Sequence, residues 1–336
     1  MGRSNDILLA VENLKVHFTG DGPVARAVDG MDFQIHRRET VCIVGESGCG
    51  KTVTALAILG LLKQPPAIIA DGRITFDGRS LLDMPAAELR ALRGKRIAMV
   101  FQEPMTSLNP VFPIGDQIGE AVLAHERVSE VAVRRRVNQL LDDVGIVDPQ
   151  RRLGDYPHQL SGGQRQRVMI AMALACEPDL IIADEPTTAL DVTVQAQILG
   201  LLKKLKQEKN MAIQYITHDL GVVAAIADQV YVMYAGVVVE QGTTGIIFGN
   251  ARHPYTVALL NALPTKKKRG RRLYSIPGSV PHPAYRPMGC PFHPRCEYCE
   301  PSCQNAFPAL CDYGKGHHAR CPILFAARGR AEETRA

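Results

Sequence analysis

The stretch Gly45-Glu46-Ser47-Gly48-Cys49-Gly50-Lys51-Thr52 decides how this chain is read. It has the form G-x-x-x-x-G-K-[ST], a phosphate-binding loop, and its flanks supply the context the motif needs. Val41-Cys42-Ile43-Val44 before it reads as a short buried strand, and Val53 to Leu62 after it as a helix apolar on most faces. Glycines let successive backbone N–H groups turn inward around phosphate oxygens, and the following helix offers its N-terminus to the same charge. Lys51 can reach the β- and γ-phosphates of a nucleotide, and the Thr52 hydroxyl can ligate Mg²⁺. A glycine-rich turn that binds nothing is the bland alternative, and the flanks argue against it.

Working outward, the 336 residues are 46% hydrophobic and 22% charged, a globular balance with room for one large or two ordinary domains. No apolar run approaches the roughly 18 residues of a membrane-spanning helix. Met1 to Asp6 is polar and lacks the apolar core of a secretory signal, so a cytoplasmic protein is expected. Any membrane role would then come through a partner. The net charge of +5, from 39 basic against 34 acidic residues, is too mild to announce nucleic-acid binding. Cysteine is more telling. Cys42, Cys49 and Cys176 stand apart, whereas the other six fall between Cys290 and Cys321. In a reducing compartment such a cluster suggests metal binding more than a disulfide framework.

Leu8 to Phe18 alternates apolar and polar residues as a half-buried strand does, and Met31 to Ile35 repeats the pattern. Phe18 ends its strand either as core or as a ring that stacks on an adenine. Ile74-Thr75-Phe76 before Asp77-Gly78 predicts a strand and a tight turn, and Ile97 to Phe101 a short strand ending at Gln102. From Pro104 to about Tyr156 the period turns helical, over Ile114–His125 and Val131–Val144, with Ser129 as candidate N-cap. Strands and helices then alternate again. A helix over Arg165–Cys176, a strand Leu180–Ala183, a helix Val194–Lys209 and a strand Met211–Thr217 precede a hairpin around Ala235-Gly236. An α/β fold with a largely parallel sheet follows, its ligands at the carboxyl ends of the strands.

Leu180-Ile181-Ile182-Ala183-Asp184-Glu185 is an apolar strand that ends in two carboxylates. Asp184 would hold Mg²⁺ opposite Thr52, and Glu185 would orient and partly deprotonate an attacking water. Alone, such a strand end is usually a solvated edge; the phosphate loop upstream changes its meaning. Leu160-Ser161-Gly162-Gly163-Gln164 opens a helix with a serine and two glycines, a second place where bare backbone can meet phosphate. One nucleotide does not need two such sites in one chain, so the second serves a nucleotide held by another subunit. Here the sequence, over roughly residues 7 to 250, resembles the nucleotide-binding subunit of ATP-binding-cassette (ABC) transporters, whose signature is LSGGQ. The resemblance implies ATP contacts from Phe18, from the loop residues Gly45, Glu46, Ser47, Gly48, Cys49, Gly50, Lys51 and Thr52, from Ser161, Gly162, Gly163 and Gln164, and from Asp191. Gln102 matches the glutamine that senses metal and attacking water, so that Thr52, Gln102 and Asp184 form the Mg²⁺ set. His218 matches the switch histidine on the γ-phosphate, which with Glu185, Gln102 and Lys51 completes the catalytic group. Water would attack the γ-phosphate in line.

Gln102-Glu103-Pro104-Met105-Thr106-Ser107-Leu108-Asn109-Pro110 resembles the Q-D-P-M-T-S-L-N-P of the dipeptide, oligopeptide and nickel importer ATPases, with Glu103 in place of the commoner Asp. Tyr156-Pro157-His158-Gln159, His253-Pro254-Tyr255-Thr256 and Ala262-Leu263-Pro264 resemble the same branch and carry the match to about residue 325. This implies a phosphate-loop NTPase core with a mixed sheet over residues 1–250, a helical subdomain over about 104–160, and an extension over 251–336. It also implies a second, similar ATPase subunit, two transmembrane permease subunits and a solute-binding protein, with the chain peripheral on the cytoplasmic face of the cell membrane. The rival from another class is an ABC ATPase acting on nucleic acid or ribosomes, which would call for a second cassette or a long coiled-coil insertion. The basic residues Lys266, Lys267, Lys268, Arg269, Arg271 and Arg272 read as a solvated linker or a contact for anionic lipid.

From Ser275 to Pro322 the chain is rich in Pro and Gly and poor in periodic apolar runs, so it needs a staple. In the peptide-importer branch the spacing of Cys290, Cys296, Cys303 and Cys321 resembles the ligands of a [4Fe–4S] cluster. Cys299 and Cys311 are further candidates. Zinc is the competing metal, with Cys296-x-x-Cys299 and His293, His317 and His318 as ligands. Reduced structural cysteines are the third reading. A tail that senses redox state or iron and tunes transport is compatible with the first.

Overall fold

The computed structural model describes residues 6–103, 107–188, 190–264, 274–321 and 323. Pro104, Met105 and Thr106 of the importer-like stretch, Ala189, and the basic run 266–272 lie outside the described residues. Two compact units make up the chain, one of Met1–Leu8, Ile35–Thr40 and Leu81–Ile216, the other of Leu9–Gln34, Val41–Ser80 and Thr217–Ala336.

In the first unit the strands Ile97–Val100, Leu180–Asp184 and Ala212–Thr217 run parallel in that order, with Ile97 opposite Leu180 and Asp184 opposite Ile216. All residues of the latter two strands are buried, which is why Leu180–Ala183 reads as an unbroken apolar run rather than as alternation, while Ala212–Thr217 buries the polar Gln214 among its apolar residues. Each buried Ile or Leu there contributes about 1.5–3 kcal/mol by leaving water. The helices Ile114–Leu123, Glu130–Asp143 and Gly162–Ala173 pack on one another. The first two are the expected helical insertion, and Ser129 caps the second as its sequence suggests, its hydroxyl accepting from the Ala132 N–H.

The second unit holds an antiparallel sheet in the order Ala25–His36, Ile7–Phe18, Ala67–Phe76, Arg79–Ser80. It also holds the buried strand Thr40–Val44, parallel to Gln229–Tyr234. Gln229–Tyr234 turns at Ala235-Gly236 into the antiparallel partner Val237–Thr243, so parallel and antiparallel pairs are mixed, as expected. The sequence reading leaves the C-terminal region irregular, yet His318–Ala319 pairs with Glu240 and Gln241, and Cys311–Asp312 pairs with His318–Ala319 in turn. These strands are two residues long, too short for an alternating pattern to show. The helix after the phosphate loop runs Lys51–Ile58 and ends sooner than its apolar sequence suggests. Gly60, at φ 59°, takes the left-handed position, its N–H bonds the Ala57 carbonyl, and the Leu61 N–H bonds that of Leu56. That pair of bonds closes a helix in a Schellman motif. No helix among the described residues is long and apolar enough to cross a membrane.

Candidate active site

The phosphate loop joins the strand Thr40–Val44 to the helix Lys51–Ile58, the geometry its sequence predicts. Gly45 is required by space: a Cβ there would collide with the Met233 carbonyl oxygen and approach Cys49 Sγ. Gly50 is required by conformation as well, since it stands at φ 105° as the N-cap of the helix. The Lys51 side chain is 5% exposed, and its Nζ donates to the carbonyls of Gly45 at 2.8 Å and Glu46 at 3.0 Å. The ammonium thus lies inside the curl of its own loop. Thr52 is exposed in the first helical turn. Cys49 is buried beside Lys51, and burial pushes its thiol pKa up. Phe18, half-buried at the end of its strand, stands opposite Ala67. His218 is exposed directly after Thr217.

In the first unit Asp184 ends its strand 3% exposed and Glu185 follows at 9%. Glu185 adopts φ 45°, and its N–H donates to the Ile216 carbonyl at 2.9 Å, which turns the side chain out of the strand's alternation. Its Oε2 accepts from the Thr188 hydroxyl at 2.9 Å and lies 3.5 Å from Gln102 Nε2. Gln102 and Glu185, 83 positions apart in the chain, are therefore brought together. Thr187 Oγ1 and Tyr215 Oη, 3.2 Å apart, brace the turn that carries the carboxylate. Ser161 caps the helix Gly162–Ala173: its hydroxyl accepts from the Gln164 N–H, while Gln164 Oε1 accepts from the Ser161 N–H. The serine and glutamine of the signature thus form a reciprocal capping box. Asp191 has a local duty too, accepting from the N–H groups of Thr193 and Val194 as N-cap of Val192–Lys209.

The donor set expected for Mg²⁺ is a hydroxyl, a carboxylate and an amide, all hard oxygen ligands, and it fits that ion. The cysteines are arranged differently. Cys290, Cys296, Cys303 and Cys321 line one cavity of about 190 Å³ with Phe292 and His293, and Cys299 and Cys311 are not among its lining residues. Burial pushes the Cys290 thiol up to about 11 and the Cys296 thiol up to about 12. Among the described residues no group of three or more His, Cys, Asp or Glu is arranged to hold a metal ion.

Several contacts were not foreseen in the sequence. Glu240, fully buried, accepts from the N–H groups of Arg252 at 2.6 Å and His253 at 2.9 Å and pairs with His317 Nε2 at 2.8 Å. His253 Nδ1 accepts from the Tyr255 N–H, so a neutral ring with its proton on Nε2 fits the site, and burial pushes the His253 pKa down to about 4. The Tyr255 hydroxyl accepts from the Glu46 N–H at 2.9 Å, and the Glu46 carboxylate pairs with Arg295. The pair His253-Pro254, an N-cap before proline, is the one signal that could have located the helix Pro254–Ala262. Nothing local marks Glu240, His317 or Arg295 as partners.

Residues 28–188 match the ABC transporter family, and residues 239–303 match the family described as oligopeptide/dipeptide transporter, C-terminal region. The chain is 50% identical over 323 residues to the dipeptide transport ATP-binding protein DppD of Escherichia coli, covering 96% of this chain and 98% of that one. To the DppD of Bacillus subtilis it is 49% identical over 314 residues, covering 94% of each. Among solved structures, a dimeric ATP-binding cassette in a post-hydrolysis state with ADP and phosphate matches at a TM-score of 0.63 and 29% identity, over 70% of this chain and 99% of that one. The cbiO1 protein of Clostridium perfringens, part of the cbiONQ transporter complex, matches at 0.63 and 31% identity, over 73% and 92%.

Proposed function

We infer, from the premise that this chain belongs to the ABC transporter family, that it powers the uptake of dipeptides or oligopeptides. It is the ATP-binding, ATP-hydrolysing subunit of such an importer. The observation that carries this reading is the combination of a cassette match over residues 28–188 with a peptide-transporter C-terminal match over residues 239–303, at half identity to DppD across nearly the whole chain.

The roles of individual residues follow from the family's chemistry. The loop Gly45–Thr52 cradles the phosphates and Lys51 carries the positive charge toward the γ-phosphate. Glu185, turned out of its strand and held by Thr188, orients the attacking water and accepts its proton, and Gln102 reports on that carboxylate. Thr52, Asp184 and Gln102 would hold Mg²⁺, which would supply neutralisation of the phosphates' charge. His218 contacts the γ-phosphate, and Phe18 stacks on the adenine. Ser161, Gly162, Gly163, Gln164 and Asp191 face the nucleotide of a second ATPase subunit. Two such subunits close over ATP, and hydrolysis opens them again.

The partners in this reading are that second ATPase subunit, two membrane permeases and a solute-binding protein, and the chain is peripheral on the cytoplasmic face of the membrane. A cassette domain over residues 1–250, with a helical subdomain over about 104–160, and an extension over 251–336 are the parts that carry these tasks. A [4Fe–4S] cluster on Cys290, Cys296, Cys303 and Cys321 belongs to the same proposal, supported by the cavity those four thiols share. Such a cluster would staple a segment that has little core of its own and give it a redox state.

Reconstitution with the second ATPase subunit, the permeases and the binding protein in proteoliposomes tests the function. Labelled dipeptide should accumulate with ATP and not with a Lys51→Ala chain. Uptake of another solute class with no peptide uptake would overturn the substrate. Protein purified without oxygen should carry about four irons and four sulfides per chain; one zinc or no metal would remove the cluster.

A further inference from the structure

Arg295 is a tail residue whose side chain, 6% exposed, ends on the phosphate loop. Its Nη1 donates to Glu46 Oε2 at 2.6 Å and its Nη2 to Oε1 at 3.0 Å, a two-pronged pair across 249 positions of sequence. The rest of the guanidinium is fixed as well. Nε donates to the Pro277 carbonyl at 2.7 Å, Nη1 also reaches the Tyr234 hydroxyl at 3.3 Å, and the group lies 5.7 Å from the Tyr234 ring centre. A fork held at its stem and on its face loses little freedom when it grips a carboxylate.

What it grips matters. Glu46 is the second residue of the loop, and its carbonyl accepts from Lys51 Nζ at 3.0 Å. Its N–H donates to Tyr255 Oη at 2.9 Å. One loop residue is therefore held at its amide and its side chain by residues far along the chain, and its carbonyl in turn holds the lysine. A carboxylate in a loop that binds a polyanion also opposes its ligand unless a cation cancels it. We propose that Arg295 is a positioning residue of the ATP site: through Glu46 it fixes the loop that presents Lys51 and cancels a charge that would repel the nucleotide's phosphates. This deepens the ATPase reading and depends on neither the cluster nor the transported solute.

The experiment is MgATP titration of the full chain by calorimetry, with thermal midpoints alongside, for the wild type, Arg295→Ala, Glu46→Ala, the double variant and Arg295→Lys. Arg295→Ala should weaken MgATP binding about tenfold, the coupling expected of contacting charged residues. That loss should shrink in high salt, because an uncancelled charge is screened. The double variant should bind better than Arg295→Ala alone and match Glu46→Ala to within about threefold, since without the carboxylate there is nothing to cancel. Arg295→Lys, which keeps the charge without the fork, should lose about threefold to fivefold; it also serves if Arg295→Ala does not fold. A purely structural arginine would lower the thermal midpoint without this rescue. The proposal is overturned if Arg295→Ala, or Arg295→Lys in its place, binds within about twofold of wild type, or if the double variant binds no better than Arg295→Ala. A wild type that binds no MgATP would instead remove the ATPase reading.

Discussion

The phosphate loop and the cysteine tail lie in the same compact unit and are held by different means. The loop's curl is made locally, by glycines whose backbone turns left-handed and by a lysine folded back on the carbonyls of Gly45 and Glu46. Distant residues reach it where Gly45 packs on Met233 and where Tyr255 and Arg295 bond Glu46. The tail is held by partners far away, Glu240 with His317, Glu46 with Arg295, and the ring cluster of Tyr234, Tyr255 and Phe292. A segment without its own apolar core is thereby ordered on a hairpin that has one. Its burial is also what gives two of its thiols raised pKa values.

Perturbing each region separately should separate chemistry from anchoring. Lys51→Ala touches the loop's chemistry, and ATP turnover should fall about 10²–10³-fold, as when a preorganised charge is removed from a transition state. The urea midpoint should move little; a large stability loss would mean the loop is an anchor too. Glu240→Ala touches the tail's anchoring by stranding His317 and two backbone N–H groups. It should cost about 3–5 kcal/mol in urea unfolding, the range for a broken buried pair. Protease should then cut the tail before the cassette, and simultaneous loss of both would show a single cooperative block.

Acid offers a milder test of the same anchor. Desolvation holds His253 neutral, lowering its pKa from 6.5 to about 4 against the pull of Glu240. The unfolded chain binds that proton at the ordinary value, so it takes up more protons throughout the window. This stability is present above pH 6.5 and is lost as pH falls through about 4. Linkage puts it on the order of 3 kcal/mol, and His253→Gln should flatten that part of a pH–stability curve. The smallest effect belongs to Ser129→Ala. Loss of that cap should cost about 0.5–1 kcal/mol, with ATP turnover unchanged.

Legibility followed the same division. The strands around the phosphate loop, the insertion helices, the Ser129 cap and the hairpin at Ala235-Gly236 could be read because each rests on local period, capping or turn chemistry. Glu185 was legible as a carboxylate at a strand end, but its left-handed backbone and its Thr188 partner were not. Asp191 enters the sequence reading as an ATP contact, and its capping bonds to Thr193 and Val194 went unread although Asp before a helix is a familiar cap. The Arg295–Glu46 and His317–Glu240 pairs join positions 249 and 77 apart, and no periodicity connects such residues.

The most direct measurement is nucleotide retention and phosphate release by the Glu185→Gln chain beside the wild type. The wild type should release phosphate from ATP. The variant should hold MgATP at wild-type affinity or tighter and release phosphate at least about 10²-fold more slowly, because the base is gone while the cradle remains. Phosphate release at the wild-type rate would contradict Glu185 as the base, and with it the division of the site into a cradle that binds and a carboxylate that drives hydrolysis.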